Sequence, residues 1–259
     1  GDFRWNELGQ DPGRSNLNKA VSCSWKHQAQ HFSVHQLEAV FGGWTSSNEP
    51  FVPTTPGYRA KRAVIVDRPG SVQTQLAIGH GAATRAHADW PVMSLAGYAL
   101  GGTLTSRIDA VLREEKGYTY GMRGSFNANR TSASFLIAGS VDTENTGPAL
   151  SDLNTVLTTA RTEGLRQDEL DAGKDYLVGV SPMRWETPVS VVQNVAMLVG
   201  NGLPLTWTDD FLIGMRHATL DEVNAAQSTH IRPDDLVVVA VGEASAISGP
   251  LEDLGYTPE

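Results

Sequence analysis

The 259-residue chain has a single cysteine, Cys23, so an internal disulfide and a cysteine-based metal cluster are both excluded. No apolar run reaches the length of a transmembrane helix. No signal peptide is legible either; the chain starts at Gly1, which fits a processed form, and its compartment stays open between bacterial-type cytoplasmic and secreted. Positive charge is scarce: 20 Lys and Arg stand against 29 Asp and Glu, a formal net charge of -9. That balance argues against nucleic acid and anionic membrane as partners and is compatible with peptide substrates. Several catalytic fingerprints are missing too. There is no G-x-S-x-G elbow, P-loop or dinucleotide fingerprint, and Cys23 has no evident base nearby. What remains is an ordinary soluble composition, 40% hydrophobic and 19% charged, on a chain long enough to bury a sizeable core.

Residues 1–32 are polar, with Gly and Pro breakers, and read as irregular. A helix is expected through Val34, Leu37, Val40 and Phe41, ended by Gly42-Gly43. The segment 45–57 carries Pro50, Pro53 and Pro56 among Ser, Thr and Asn and reads as an extended linker. The expected organisation is therefore an N-terminal segment 1–44, the end of a preceding domain or a processed remnant, then the linker 45–57 and a main domain 58–259. In that domain, Arg62–Asp67 and Val72–His80 read as strands, the second alternating Val72, Thr74, Leu76 and Ile78. Asp89 precedes a helix with Val92, Leu95, Ala96 and Ala99 on its apolar face. A hairpin is expected from 118–127 and 132–142. Helices follow around Leu150–Ala160, over 167–183 with Leu170, Tyr176, Leu177 and Val180 inward, and from Pro188 through Val192, Val195 and Val199 to Gly200. Thr219-Leu-Asp-Glu222 reads as a capping box for a helix ending near His230, and Leu236–Val241 as a central strand. Strands, helices and one returning strand give an α+β class, with a mixed, mostly antiparallel sheet and helices on one face.

The stretch from Leu100 to Gly121, LGGTLTSRIDAVLREEKGYTYG, organises the rest. After Gly101-Gly102 a short helix is expected, with Thr105 or Ser106 as N-cap, Ile108, Val111 and Leu112 inward, and Gly117 as a left-handed stop. Arg113 lies in its last turn and Tyr120 at the start of the next strand. A guanidinium and a phenol so placed can converge on a peptide carbonyl or oxyanion. The plainer alternative is a cation solvating a helix C-terminus and a half-buried strand tyrosine. The pattern GG-x-x-x-SR-I followed by LRE-x-KG-x-x-YG resembles the C-terminal, non-zinc-binding domain of the M16 (pitrilysin and mitochondrial processing peptidase) metallopeptidases. The FGGW ending before the linker and the block IRPDDLVVVAVG extend the likeness over roughly 33–255.

The resemblance implies an M16 peptidase-like (LuxS/MPP-like) domain in which Arg113 and Tyr120 form a substrate-binding pair; Tyr118, two residues before Tyr120 on the same strand face, is the rival phenol. It also implies that zinc sits on a partner, a domain or subunit bearing H-x-x-E-H, and that this chain alone holds no metal or other cofactor and is inactive. That motif binds zinc through two histidines while its glutamate deprotonates the metal-bound water. Here the nearest approach is His27-Gln-Ala-Gln30-His31, where glutamine cannot serve as the base. His27, His31 and His35 share a helical spacing and could hold a metal as a cluster; His80 and His87 flank a loop. In both sets loop or surface polarity is the commoner meaning. A catalytically silent scaffold or peptide-binding module is the alternative function.

Overall fold

The computed structural model describes residues 34–45 and 61–259. The expected irregular stretch 1–32 and nearly all of the expected linker lie outside the described residues. The chain divides into two units, Thr55–Leu177 with Gly214–Glu259, and Gly1–Thr54 with Val178–Ile213.

The first unit is built on β-branched runs whose alternate side chains need cover. Among the described residues its six strands are β1 (Arg62–Asp67), β2 (Gln73–Gly81), β3 (Met122–Ala128), β4 (Ala133–Asp142), β5 (Val237–Gly242) and β6 (Thr257–Pro258). They lie in the order β3-β4-β2-β5-β1-β6. Pairing is antiparallel in β3/β4, β4/β2 and β2/β5, and parallel in β5/β1 and β1/β6. β5 is central, as its continuous apolar run predicts. On β2, Thr74, Leu76, Ile78 and also His80 point inward. Val72 precedes the strand and is exposed; its carbonyl accepts from the Thr143 amide at 3.0 Å. The hairpin β3/β4 runs in register from Met122↔Gly139 to Ala128↔Ala133.

One sheet face is covered. Phe135, Ile137, Val141, Val238 and Ala240 pack with Leu150, Leu153, Leu157 and Ala160 of α4 (Thr146–Glu163), whose apolar residues recur at helical spacing. The opposite face keeps Leu136 and Val239 exposed. A buried pair of hydroxyls, Thr146 to Thr74 at 2.8 Å, fixes the start of α4 to β2. Helix α2 (Trp90–Gly101) buries Met93, Leu95, Ala96, Ala99 and Leu100, with expected Val92 only partly covered. Helix α8 (Leu220–His230) opens with the expected capping box: Thr219 Oγ1 accepts from the Glu222 amide, and Glu222 accepts from the Thr219 amide. Helix α9 (Ala244–Asp253) escaped the sequence reading because Pro250 lies inside it, yet it buries Ile247 and Leu251.

Three helical details depart from expectation. Helix α5 (Gln167–Gly179) stops before Met183, and a 3₁₀ segment, Ser181–Trp185, follows. Tyr176 is exposed and stacks on Tyr98 at 5.1 Å between centroids. In the second unit, α6 (Pro188–Gly200) buries Val191 and Leu198 rather than Val192 and Val199. This helix is apolar almost all round, so its period admits two stripes one residue apart. Leu198 and Leu203 form a small core there with Trp185, Met197 and Trp207, the first residue of α7 (Trp207–His217). The same unit holds α1 (Val34–Phe41), whose end is marked by Phe41 edge-on to Trp44 at 5.0 Å.

One close approach governs how α2 meets the sheet. A Cβ on Gly101 would lie 2.4 Å from the Gly124 nitrogen and 2.6 Å from its Cα. Backbone meets backbone there, so no side chain can yield. Gly101→Ala should cost about 1–3 kcal/mol through overpacking, read as a lower denaturant midpoint at unchanged slope. Gly200→Ala, which meets open space at the end of α6, should leave stability unchanged or raise it by up to about 1 kcal/mol.

Candidate functional site around the glycine-rich turn

Beyond Gly101 the chain turns and enters a single helix turn, α3 (Arg107–Asp109), which continues as a π-helical stretch, Ala110–Glu115. The sequence spacing predicts an ordinary helix here. The observed widening lets the Lys116 amide reach the Val111 carbonyl at 3.0 Å and the Tyr118 amide reach Leu112 at 2.9 Å. π-Turns of this kind recur at functional sites. Ser106 occupies the N-cap position with extended backbone, but its Oγ is buried without a hydrogen-bond partner. Ile108 and Leu112 are fully buried and Val111 packs against the core, as expected. Gly117 has φ +69, the left-handed conformation the sequence predicts, and its amide closes on the Arg113 carbonyl at 3.1 Å.

Two ion pairs fasten this turn. Arg107 donates to Glu169 through Nε at 2.7 Å and Nη2 at 2.6 Å, and Nη2 also reaches the Gly164 carbonyl at 2.8 Å. Burial alone would push the Glu169 carboxyl up; the hydrogen bonds from Arg107 and from the Arg166 amide outweigh it and hold the group below the usual carboxylate range. Asp109, fully buried, accepts from the Met122 amide at 2.7 Å and pairs with Arg123. The helix start and the first residues of β3 are thereby tied across the intervening loop.

That loop places the two expected site residues differently from the sequence reading. β3 begins at Met122, so Tyr120 lies in a bend before the strand rather than inside it. Its side chain is 90% exposed and its hydroxyl has no partner among the described residues. Tyr118, expected on the same strand face, instead packs against the core. Thr119 is buried between them, its Oγ1 accepting from the Gly121 amide at 3.0 Å. Arg113 is about one-third exposed and pairs with adjacent Glu114 at 3.1 Å. Arg113 and Tyr120 make no hydrogen bond to each other. Two open clefts, one beside Asp89 and His217 and one beside Arg107 and Asp152, are lined by neither of them.

The residues around Arg113 and Tyr120 do not fit a zinc ion. Among the described residues, the one convergent set of three metal-ligating side chains is His87, Asp89 and His230. His80 does not join His87: it is buried, with Nδ1 against the Gly81 carbonyl at 2.9 Å and Nε2 accepting from the Arg232 amide at 3.1 Å. Both ring nitrogens are thus used by backbone. Burial, with some help from the Arg232 charge and against the pull of the Gly81 carbonyl, lowers its pKa below the ordinary histidine value. His27 and His31 lie outside the described residues, as does the side chain of His35.

With this geometry in place, comparison with known proteins adds four observations. A family model described as the peptidase M16 inactive domain matches residues 33–177. The curated protein "Non-peptidase homolog YmxG" of Helicobacter pylori is 27% identical over 146 residues, 56% of this chain and 33% of that protein, so the chain spans about a third of its length. The solved peptidase M16 inactive domain from Pseudomonas fluorescens superposes with a TM-score of 0.67 at 20% identity, over 93% of this chain and 71% of that one. A protease from Helicobacter pylori does so at 0.68 and 16% identity, over 80% of this chain and 51% of that one. At such identities the structural likeness speaks to the fold alone.

Two measurements follow from the anchors. Asp109→Ala orphans the Met122 amide beside a fully buried position and should cost about 1–3 kcal/mol in chemical denaturation. The His80 imidazole titrates lower in the folded chain, so between the two values the unfolded chain binds more protons. Its stabilising contribution is then complete above the unfolded value of about 6.5 and is lost as pH falls through the folded one. Unfolding midpoints should decline from pH 7 toward pH 5.5, and His80→Gln should flatten that slope.

Proposed function

Because the chain belongs to the peptidase M16 inactive-domain family, we propose that it is the substrate-binding half of an M16-type zinc metalloendopeptidase. The zinc would be carried by another domain or subunit that bears H-x-x-E-H. One observation carries the reading. Within the 100–121 stretch Gly101, Arg107, Ile108, Asp109, Leu112 and Gly117 are used by the fold, whereas Tyr120 is exposed and, among the described residues, Arg113 pairs with a neighbouring surface carboxylate. Surface pairs of that kind contribute about 0–1 kcal/mol, so Arg113 can exchange Glu114 for a ligand at little cost.

In this reading, Arg113 donates charge-assisted hydrogen bonds to a substrate carbonyl, its planar fork fixing the direction of approach. Tyr120 donates its phenol hydrogen to the oxyanion that develops as the carbonyl carbon becomes tetrahedral. The partner supplies the zinc chemistry. A silent scaffold or peptide-holding subunit is the second reading, favoured by the name "non-peptidase homolog" that the Helicobacter pylori relative carries.

The test is reconstitution of the full chain with an H-x-x-E-H-bearing M16 partner and a fluorogenic peptide. Tyr120→Phe and Arg113→Ala should each reduce kcat/KM by about 100- to 1000-fold. Arg113→Lys should also be impaired, since lysine lacks the fork. Unaltered cleavage in all three variants would transfer the argument to the scaffold reading.

A further inference from the structure

We propose that His87, Asp89 and His230 form a binding site for one divalent transition-metal ion of the zinc class, on the inactive domain itself. The site is independent of Arg113 and Tyr120. His87 lies on the loop between β2 and α2, Asp89 at the N-cap of α2, and His230 in the last turn of α8. Their donor atoms all fall within 4.8 Å of one another.

The local structure prepares these donors. Turn hydrogen bonds from the His87 amide to Thr84 at 3.0 Å and from the Trp90 amide to His87 at 3.1 Å hold the loop in place. An N-cap aspartate ordinarily accepts from the first helical amides. Asp89 makes no such bond; its Oδ2 is turned to His230 Nε2 at 2.8 Å and lies 3.8 Å from His87 Nδ1. Ligand atoms about 2.0 Å from a tetrahedral metal lie roughly 3.3 Å apart, so the two separations bracket that value. The two imidazoles meet edge to face at 5.3 Å and 80°. His87 Nδ1 accepts from the Asp89 amide at 3.1 Å, so ligation requires it to give up that bond or to present Nε2.

Two imidazoles and one carboxylate suit zinc, cobalt or nickel and not calcium or magnesium, which take oxygen ligands. His230 is largely buried while His87 and Asp89 are partly exposed, so an ion can enter from solvent. Asp89 also lines an open cleft of about 480 Å³ beside His217, from which water or a small anion could complete the coordination. A bound ion would clip the start of α2 to the end of α8 and stabilise the fold by mass action.

The experiment uses the full chain stripped with chelator and titrated calorimetrically with zinc chloride, with cobalt(II) absorption as the readout of tetrahedral geometry. One equivalent should bind, and at a hundredfold excess over Kd the Tm should rise by about 5–10 °C. His230→Gln, which keeps a donor for Asp89, and Asp89→Asn should each weaken that equivalent by more than about tenfold. If His230→Gln fails to fold, as seen by thermal unfolding in chelator, the exposed His87→Ala variant carries the test. A triple variant with His27, His31 and His35 replaced by alanine should retain the equivalent. Absence of binding, or binding lost in the triple variant and kept in His230→Gln and His87→Ala, would overturn the assignment.

Discussion

The approach of Gly101 to Gly124 is the contact on which the organising turn depends, because nothing but backbone fits between α2 and β3 there. It fixes where α2 ends relative to the sheet, and so where the turn must begin. Arg107 then binds the far side of the turn to the start of α5 through Glu169, and Asp109 returns it to β3 through Met122. Three anchors of different chemistry therefore hold one segment: steric contact, a bidentate ion pair, and a buried carboxylate accepting a backbone amide. The segment between them is short. With Tyr118 and Thr119 turned inward, the next side chain, Tyr120, faces solvent.

The motif of residues 100–121 thus contains two kinds of constraint. Most of its positions serve the geometry of the turn, and their identity follows from packing: no Cβ at Gly101, positive φ at Gly117, a buried acid at Asp109. Arg113 and Tyr120 serve nothing of that kind. The π-helical widening matters here, since it sets which face of the last turn Arg113 occupies, and no helical-wheel argument based on 3.6 residues per turn would place it.

The sequence made much of the fold legible, for identifiable reasons. Strand β2 alternates, β5 is a bounded β-branched run, α6 starts at a proline, and α8 carries its capping box. Where the reading slipped, the signal was degenerate or tertiary. In α6 two stripes were equally apolar; at α9 an internal proline masked a helix; at Tyr118 and Tyr120 aromatic alternation imitated a strand that starts later. The candidate site was half legible. Arg113 and Tyr120 stood out through the family pattern, but not their unequal exposure. The cluster of His87, Asp89 and His230 was beyond reach, because 141 positions separate Asp89 from His230 and the local pairing of His80 with His87 was the one a linear reading could offer. His80 was removed from that pairing by burial, which no spacing reveals.

The exposure of Tyr120 bears on how an M16 substrate-binding half would work. In open water, two unit charges about 4 Å apart gain only ~1 kcal/mol, against ~4 kcal/mol at the lower dielectric of a protein surface cleft. A guanidinium and a phenol presented to solvent are therefore weak ligands, competing with water for every hydrogen bond. They become strong only when another surface excludes that water while leaving them aimed at the peptide. The anchors at Gly101, Arg107 and Asp109 hold the turn without side-chain contributions from Arg113 or Tyr120, so in the proposed reading they would supply the aiming. Exclusion of water has to come from outside the turn. The division of labour proposed for this chain follows: the domain would hold the turn that presents the pair, solvated at rest, and a zinc-bearing partner closing over it would convert a feeble surface contact into transition-state stabilisation.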